Sequence, residues 1–175
     1  ASGGEAVSIL MSSDSSDLWP HMVLQAPDGT VLETAYSTSG VGATIRAVKL
    51  PAQTGIYYII CRSSDGTDAG AYRLSMVLNP GQYQPDPDGG PIQSGDTKTG
   101  TITVGDLDAF WFHAEAGDRA TVGMSRTSGS WWPQLELHAP SGSVGKSATN
   151  PAIASITAWT LTESGIWHIL CRDSA

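Results

Sequence analysis

The feature that most constrains this chain is a stretch it uses twice: LWPHMVLQAPDGTV at Leu18–Val31 and WWPQLELHAPSGSV at Trp131–Val144. Each copy is a Trp-Pro lead-in, a run of alternating apolar residues and then Ala-Pro-x-Gly. Successive side chains of a strand point to opposite sides, so the alternation predicts a β-strand with one buried face. Pro-Asp-Gly-Thr and Pro-Ser-Gly-Ser are turn sequences, in which Pro fixes φ and Gly accepts φ > 0. The chain therefore builds a strand running into a tight turn, and builds it twice.

The remainder of the two copies superposes with small drifts. Trp19 pairs with Trp132 and Gly29 with Gly142 at an offset of 113, Ile45 with Ile156 at 111, and Gly55 with Gly165 and Cys61 with Cys171 at 110. TGIYYIICR (Thr54–Arg62) and SGIWHILCR (Ser164–Arg172) match almost residue for residue. A period near 110 is too long for a solenoid repeat and is the size of a β-sandwich domain. The expected fold is all-β, with two tandem β-sandwich domains of jelly-roll or Ig-like type. The first covers residues 1–78 and the second residues 96–175. Between them, residues 79–95 read NPGQYQPDPDGGPIQSG, a Pro/Gly composition that excludes helix and central strand and makes a semi-rigid linker.

Period-2 patterning places further strands at Ala6–Met11, Val31–Ala35, Thr44–Leu50, Gly55–Arg62 and Ala71–Leu78. Tyr72, Leu74 and Met76 share one face of the last of these. In the second repeat, Thr99–Val104 is the start. Gly105–Ala114 follows, with Phe110 and Phe112 on one face and Trp111 and His113 on the other. Ala120–Met124 is read as the counterpart of Ala6–Leu10. Helical periodicity is not evident anywhere.

Composition narrows the function. Charged residues are only 15%, glycine is abundant, and the net charge is −8, a profile that fits a secreted or cell-surface all-β protein. A uniformly acidic chain has no footprint for nucleic acid or an anionic membrane. No apolar run approaches the ~20 residues of a transmembrane segment. The absence of an initiator Met and of a signal-peptide core reads as a processed chain or a segment of a longer one.

Two cysteines at one repeat position, Cys61 and Cys171, cannot bond symmetrically within each domain; they read as buried free thiols, with a bridge between domains or chains as the alternative. Asp106 and Asp108, with Asp86 and Asp88 of the linker, either solvate a turn or offer oxygen ligands to Ca²⁺. Trp19 and Trp132 are expected to cap the sandwich core. The alternative for these two and Trp131 is an aromatic platform for carbohydrate. Glu136 and His138 share the strand face opposite Leu135 and Leu137 and are expected to be exposed. Gly145-Lys146-Ser147 ends a phosphate-loop pattern, but the required first glycine falls at Pro140. No nucleophile–base–orienter set can be assembled, so an enzyme is not expected, and no cofactor beyond a calcium ion is suggested.

Three segments taken together resemble a known family. TGTITVGDLDAFWFHAEAGDRATV (Thr99–Val122), LELHAPSGSV and ESGIWHILCR follow the pattern of the bacterial pre-peptidase C-terminal domain: a GxI-x-x-GDxDxFxF opening, an AGD turn, a strand ending in a PxG turn and then GxY strands. GTDAGAYRLSMVL in the first repeat matches that family's closing strand. The resemblance implies jelly-roll sandwiches that act as secreted, non-catalytic appendages, some of which bind collagen, polysaccharide or calcium.

The two repeats depart from this pattern in opposite ways. Nothing in the first corresponds to Thr99–Glu115, and nothing in the second corresponds to Gly70–Leu78. Two repeats of ~110 residues would need ~220, against 175 here. Missing strands leave unpaired backbone and an open core, and a partner can supply a strand. The expectation is a structural or adhesive fibre subunit, assembled head to tail, with Ala6, Val7, Ile9, Leu10 and Met11 as the donated strand. The alternatives are a window on a longer repeat protein, or an accessory module of a secreted hydrolase that binds polysaccharide or extracellular matrix.

Overall fold

A computed structural model describes residues 4–13, 17–38, 40–79 and 88–174. The described residues form thirteen strands and contain no helix. The first six are β1 (Ala6–Ser13), β2 (Pro20–Gln25), β3 (Val31–Tyr36), β4 (Gly42–Lys49), β5 (Tyr58–Ser63) and β6 (Tyr72–Asn79). The others are β7 (Gly90–Pro91), β8 (Asp108–Ala114), β9 (Arg119–Ser125), β10 (Pro133–His138), β11 (Val144–Thr149), β12 (Ile153–Thr160) and β13 (Gly165–Asp173). The chain divides into two compact units, Ala1–Leu78 with Val104–Asp106, and Asn79–Thr103 with Leu107–Ala175.

In the first unit the sheets run β4-β1-β6 and β3-β2-β5. Val7, Ile9, Met11, Ala43 and Ile45 of one meet Met22 and Leu24 of the other in a single core. In the second unit the sheets run β12-β9 and β11-β10-β13-β8-β7, and Leu135, Leu137, Ala154, Ile156, Trp167 and Ile169 fill the space between them. Each unit is a two-layer β-sandwich.

The Ala-Pro-x-Gly segments turn as their residue types require. Gly29 and Gly142 stand at φ 86° and 87°, and each donates its N–H to the carbonyl of the alanine three residues earlier, Ala26 and Ala139, at 2.9 and 2.8 Å. The ring of the turn proline then packs on a glycine of the neighbouring strand connection. A Cβ on Gly55 would lie 2.7 Å from Pro27, and one on Gly165 would lie 3.1 Å from Pro140.

A second repeated device carries no sequence signature. Ala47 and Ala158 occupy the left-handed region at φ 47° and 48°, each beside a register shift in the pairing of β1 with β4 and of β9 with β12. Their N–H groups leave the ladder and donate to a hydroxyl across the sheet, Ser8 Oγ at 3.0 Å and Thr121 Oγ1 at 2.9 Å. This is a β-bulge, and the hydroxyl satisfies the amide that the bulge strands.

The pairing also corrects the alignment of the repeats. Ile9 faces Ile45 and Met11 faces Ala43, as Val122 faces Ile156 and Met124 faces Ala154. The offset of β9 from β1 is therefore 113, not the 114 that sets Ala120 against Ala6, and a slip of one residue would exchange the two faces of the strand. Two further expectations are revised. Residues 99–104 form no strand, with Gly100 interrupting the alternation. Part of the segment read as linker belongs to the second unit's sheet: Gly90 and Pro91 pair in parallel with Phe110 and Trp111, and Ile92 packs against that unit's core.

Candidate functional site

Among the described residues the two repeats differ on opposite layers. In the second unit β13 lies between β10 and β8; in the first its counterpart β5 ends its sheet, with no neighbour beyond it among the described residues. The consequence is graded burial of equivalent side chains. Trp167, Ile169 and Cys171 of β13 are buried, whereas Tyr57, Ile59 and Cys61 at the same repeat positions are only partly so.

The other layer is reversed. β6 flanks β1 in the first unit, but among the described residues β9 has only β12 beside it. Val7, Ile9 and Met11 of β1 are buried, and Ala120, Val122 and Met124 of β9 are only partly covered. Alongside β9 opens a cleft of about 690 Å³ whose apolar wall includes Phe112, Val122, Leu161, Ile169 and Ile92. Asp96, Asp118 and Arg119 also line this cleft. β6, which ends its own sheet, turns Tyr72, Leu74 and Met76 toward the side of the strand that Leu78 packs into the core. Those three stay 53%, 41% and 55% exposed.

The structure redistributes the residues nominated from sequence. Ala6, Val7, Ile9, Leu10 and Met11 are not a strand free to be donated. They lie in β1, paired with β4 and flanked by β6, and all five are buried in their own unit. Trp19 and Trp132 do not cap the core: they are 41% and 52% exposed, and Pro20 and Pro133 are the fully buried members of each Trp-Pro pair. The tryptophan main chain secures the end of the neighbouring strand, with Trp19 O accepting from Ser64 N at 2.9 Å and Trp132 O from Ser174 N at 3.0 Å. Trp131 is partly buried, and its carbonyl accepts from the Arg126 guanidinium at 2.7 Å.

Asp108 is buried at the start of β8 and Asp106 is partly buried in the preceding turn. Asp88 Oδ2 accepts from Thr101 N at 2.9 Å, and Asp86 lies outside the described residues. Among the described residues no group of three His, Cys, Asp or Glu side chains is placed to hold a metal ion. The cysteines are free thiols, Cys61 partly buried and Cys171 buried. Burial pushes the Cys61 thiol up; burial and then the Asp108 carboxylate push Cys171 up to about 12.

Glu136 and His138 overturn the expectation of an exposed face, since both are 2% exposed. They belong to a polar network on the side of β10 and β13 away from the unit's core. Glu136 Oε1 accepts from Gln134 Nε2 at 3.1 Å and from the Arg172 guanidinium at 3.3 Å. Glu136 Oε2 lies 3.0 Å from His138 Nε2. His168, paired with His138 across the strands, is held down at about 4 by burial and then by the His138 charge. A buried carboxylate bonded by an amide, a guanidinium and an imidazole is a satisfied structural network. Period-2 alternation groups these residues on one face and says nothing about whether that face meets water.

No family model, no curated protein and no solved structure matches this chain. No helix among the described residues is long and apolar enough to cross a membrane.

Proposed function

We propose that this chain is a non-enzymatic extracellular structural protein whose subunits assemble head to tail by sharing β-strands. The observation that carries this reading is the complementarity of the two deficits. Among the described residues, one unit ends in β5 on the layer built from β2, β3 and β5, the other ends in β9 on the layer built from β9 and β12, and each edge borders half-covered core side chains. An open edge beside an open core favours the addition of a strand, because main-chain bonds and apolar burial are gained together. Donor and acceptor surfaces that differ from one another make a heterologous contact, which propagates as a filament when it does not close. The low charge, abundant glycine and motif resemblance to secreted appendage domains support an extracellular setting.

The test is negative-stain microscopy with light scattering on native material at neutral pH. Filaments with a regular axial repeat are the expected result, and monodisperse particles near 18.3 kDa would sink the reading. The exposed Trp132 favours a second reading, an accessory module that binds polysaccharide. In that case the chain stays monomeric, and Trp132→Ala abolishes retention on an insoluble polysaccharide.

A further inference from the structure

The assembly reading leaves open which strand fills which gap, and the internal repeat supplies a template for one of them. β9 is the counterpart of β1, with the same Met–Ala and Ile-facing pairs and the same bulge closed by a hydroxyl. Beside β1 the chain places β6. The repeat therefore expects a strand beside β9 with apolar residues at alternate positions, as β6 has beside β1.

We propose that the free edge of β9 and its adjoining cleft accept β6 of a second copy of this chain. This rests on the assembly reading and names its donor and acceptor. β6 needs no unfolding to take part: it keeps β1 on one edge and presents the other. The row Tyr72, Leu74 and Met76, left 41–55% exposed in its own unit, meets a cleft walled by Phe112, Val122, Leu161 and Ile169. Joined in this way, β4-β1-β6 of one copy continues into β9-β12 of the next, giving a five-stranded layer opposite the five-stranded sheet that the second unit already has. Donor and acceptor sit on different units.

The experiment uses a synthetic peptide of residues 70–79, GAYRLSMVLN, added to the whole chain, with amide hydrogen exchange as the readout. The expected result is saturable binding with at least tenfold slower exchange across Arg119–Ser125. A peptide carrying Leu74→Lys binds at least tenfold more weakly. A peptide N-methylated at alternate residues, which cannot pair with an edge, does not bind. In the protein, Leu74→Lys alters a side chain that is already solvent-exposed, so the variant folds but fails as a donor. Protection at β5 in place of β9, no protection, or equal binding by the N-methylated peptide overturns the assignment. Filaments without β9 protection would leave the assembly reading standing and refute this site; β9 protection by the peptide without filaments would do the reverse.

Discussion

The chain contains a matched pair that isolates the effect of the open edge. Met11 and Met124 occupy the same repeat position, each facing an alanine, Ala43 and Ala154. Met11 is 1% exposed in a closed core, and Met124 is half-buried on a strand with one neighbour. Truncating a fully buried methionine to alanine costs about 2–5 kcal/mol, because the lost transfer energy adds to the cavity left behind. Met11→Ala should cost about 3 kcal/mol on that scale. At Met124 part of the side chain is already in water and solvent can enter the space, so only a fraction of the transfer term is lost and about 1 kcal/mol is expected. The gap of about 2 kcal/mol is a factor of roughly 30 in an opening equilibrium. Urea unfolding of the unassembled chain, with hydrogen exchange resolving β1 from β9, measures both costs. Assembly covers β9, so in the assembled material the cost of Met124→Ala should rise toward that of Met11→Ala. Equal costs in the unassembled chain would refute the argument that β9 borders an open core.

Three further outcomes are expected. Glu136→Ala leaves Arg172 and His138 without the carboxylate that joins them and should destabilise the second unit by about 3–5 kcal/mol, read as a drop in its thermal midpoint; a midpoint within a degree of the parent's would contradict the network. His168 is neutral in the folded protein down to about 4, while the unfolded chain takes up the proton near 6.5, so the unfolded state binds more protons between those values. Stability should therefore fall as pH drops from about 6.5 to 4, by up to about 3 kcal/mol from this group, and His168→Gln should flatten that part of a urea-midpoint-against-pH curve. Thiol labelling should modify Cys61 first and reach Cys171 only when the second unit unfolds; equal rates in the native protein would exclude the burial difference between the two repeats.

Much of the local structure was legible in residue types. The Pro-x-Gly turns form as their dihedral preferences require, and Leu135 and Leu137 lie in the core as the alternation demands. The matched glycines at 55 and 165 turn out to be places where a proline ring leaves no room for a Cβ. The candidate residues fared differently. Glu136 and His138 were correctly placed on one face, yet the face itself is buried. Trp19 and Trp132 recur at a position whose main chain holds a strand end, a role any residue type fills, and their side chains stay about half exposed. The left-handed Ala47 and Ala158 were invisible, since alanine carries no preference for that conformation; the hydroxyls of Ser8 and Thr121 that hold their amides come from another strand.

The division has a physical cause. Which residues alternate, where the chain turns and which segments are equivalent follow from interactions within a few residues, and the sequence by itself determined these. Which edge finds a partner, which face is covered and whether Met11 and Met124 share an environment depend on strands distant in the chain. One repeat sequence pattern thus produced a closed β1 and an open β9, and only the tertiary structure decided between them.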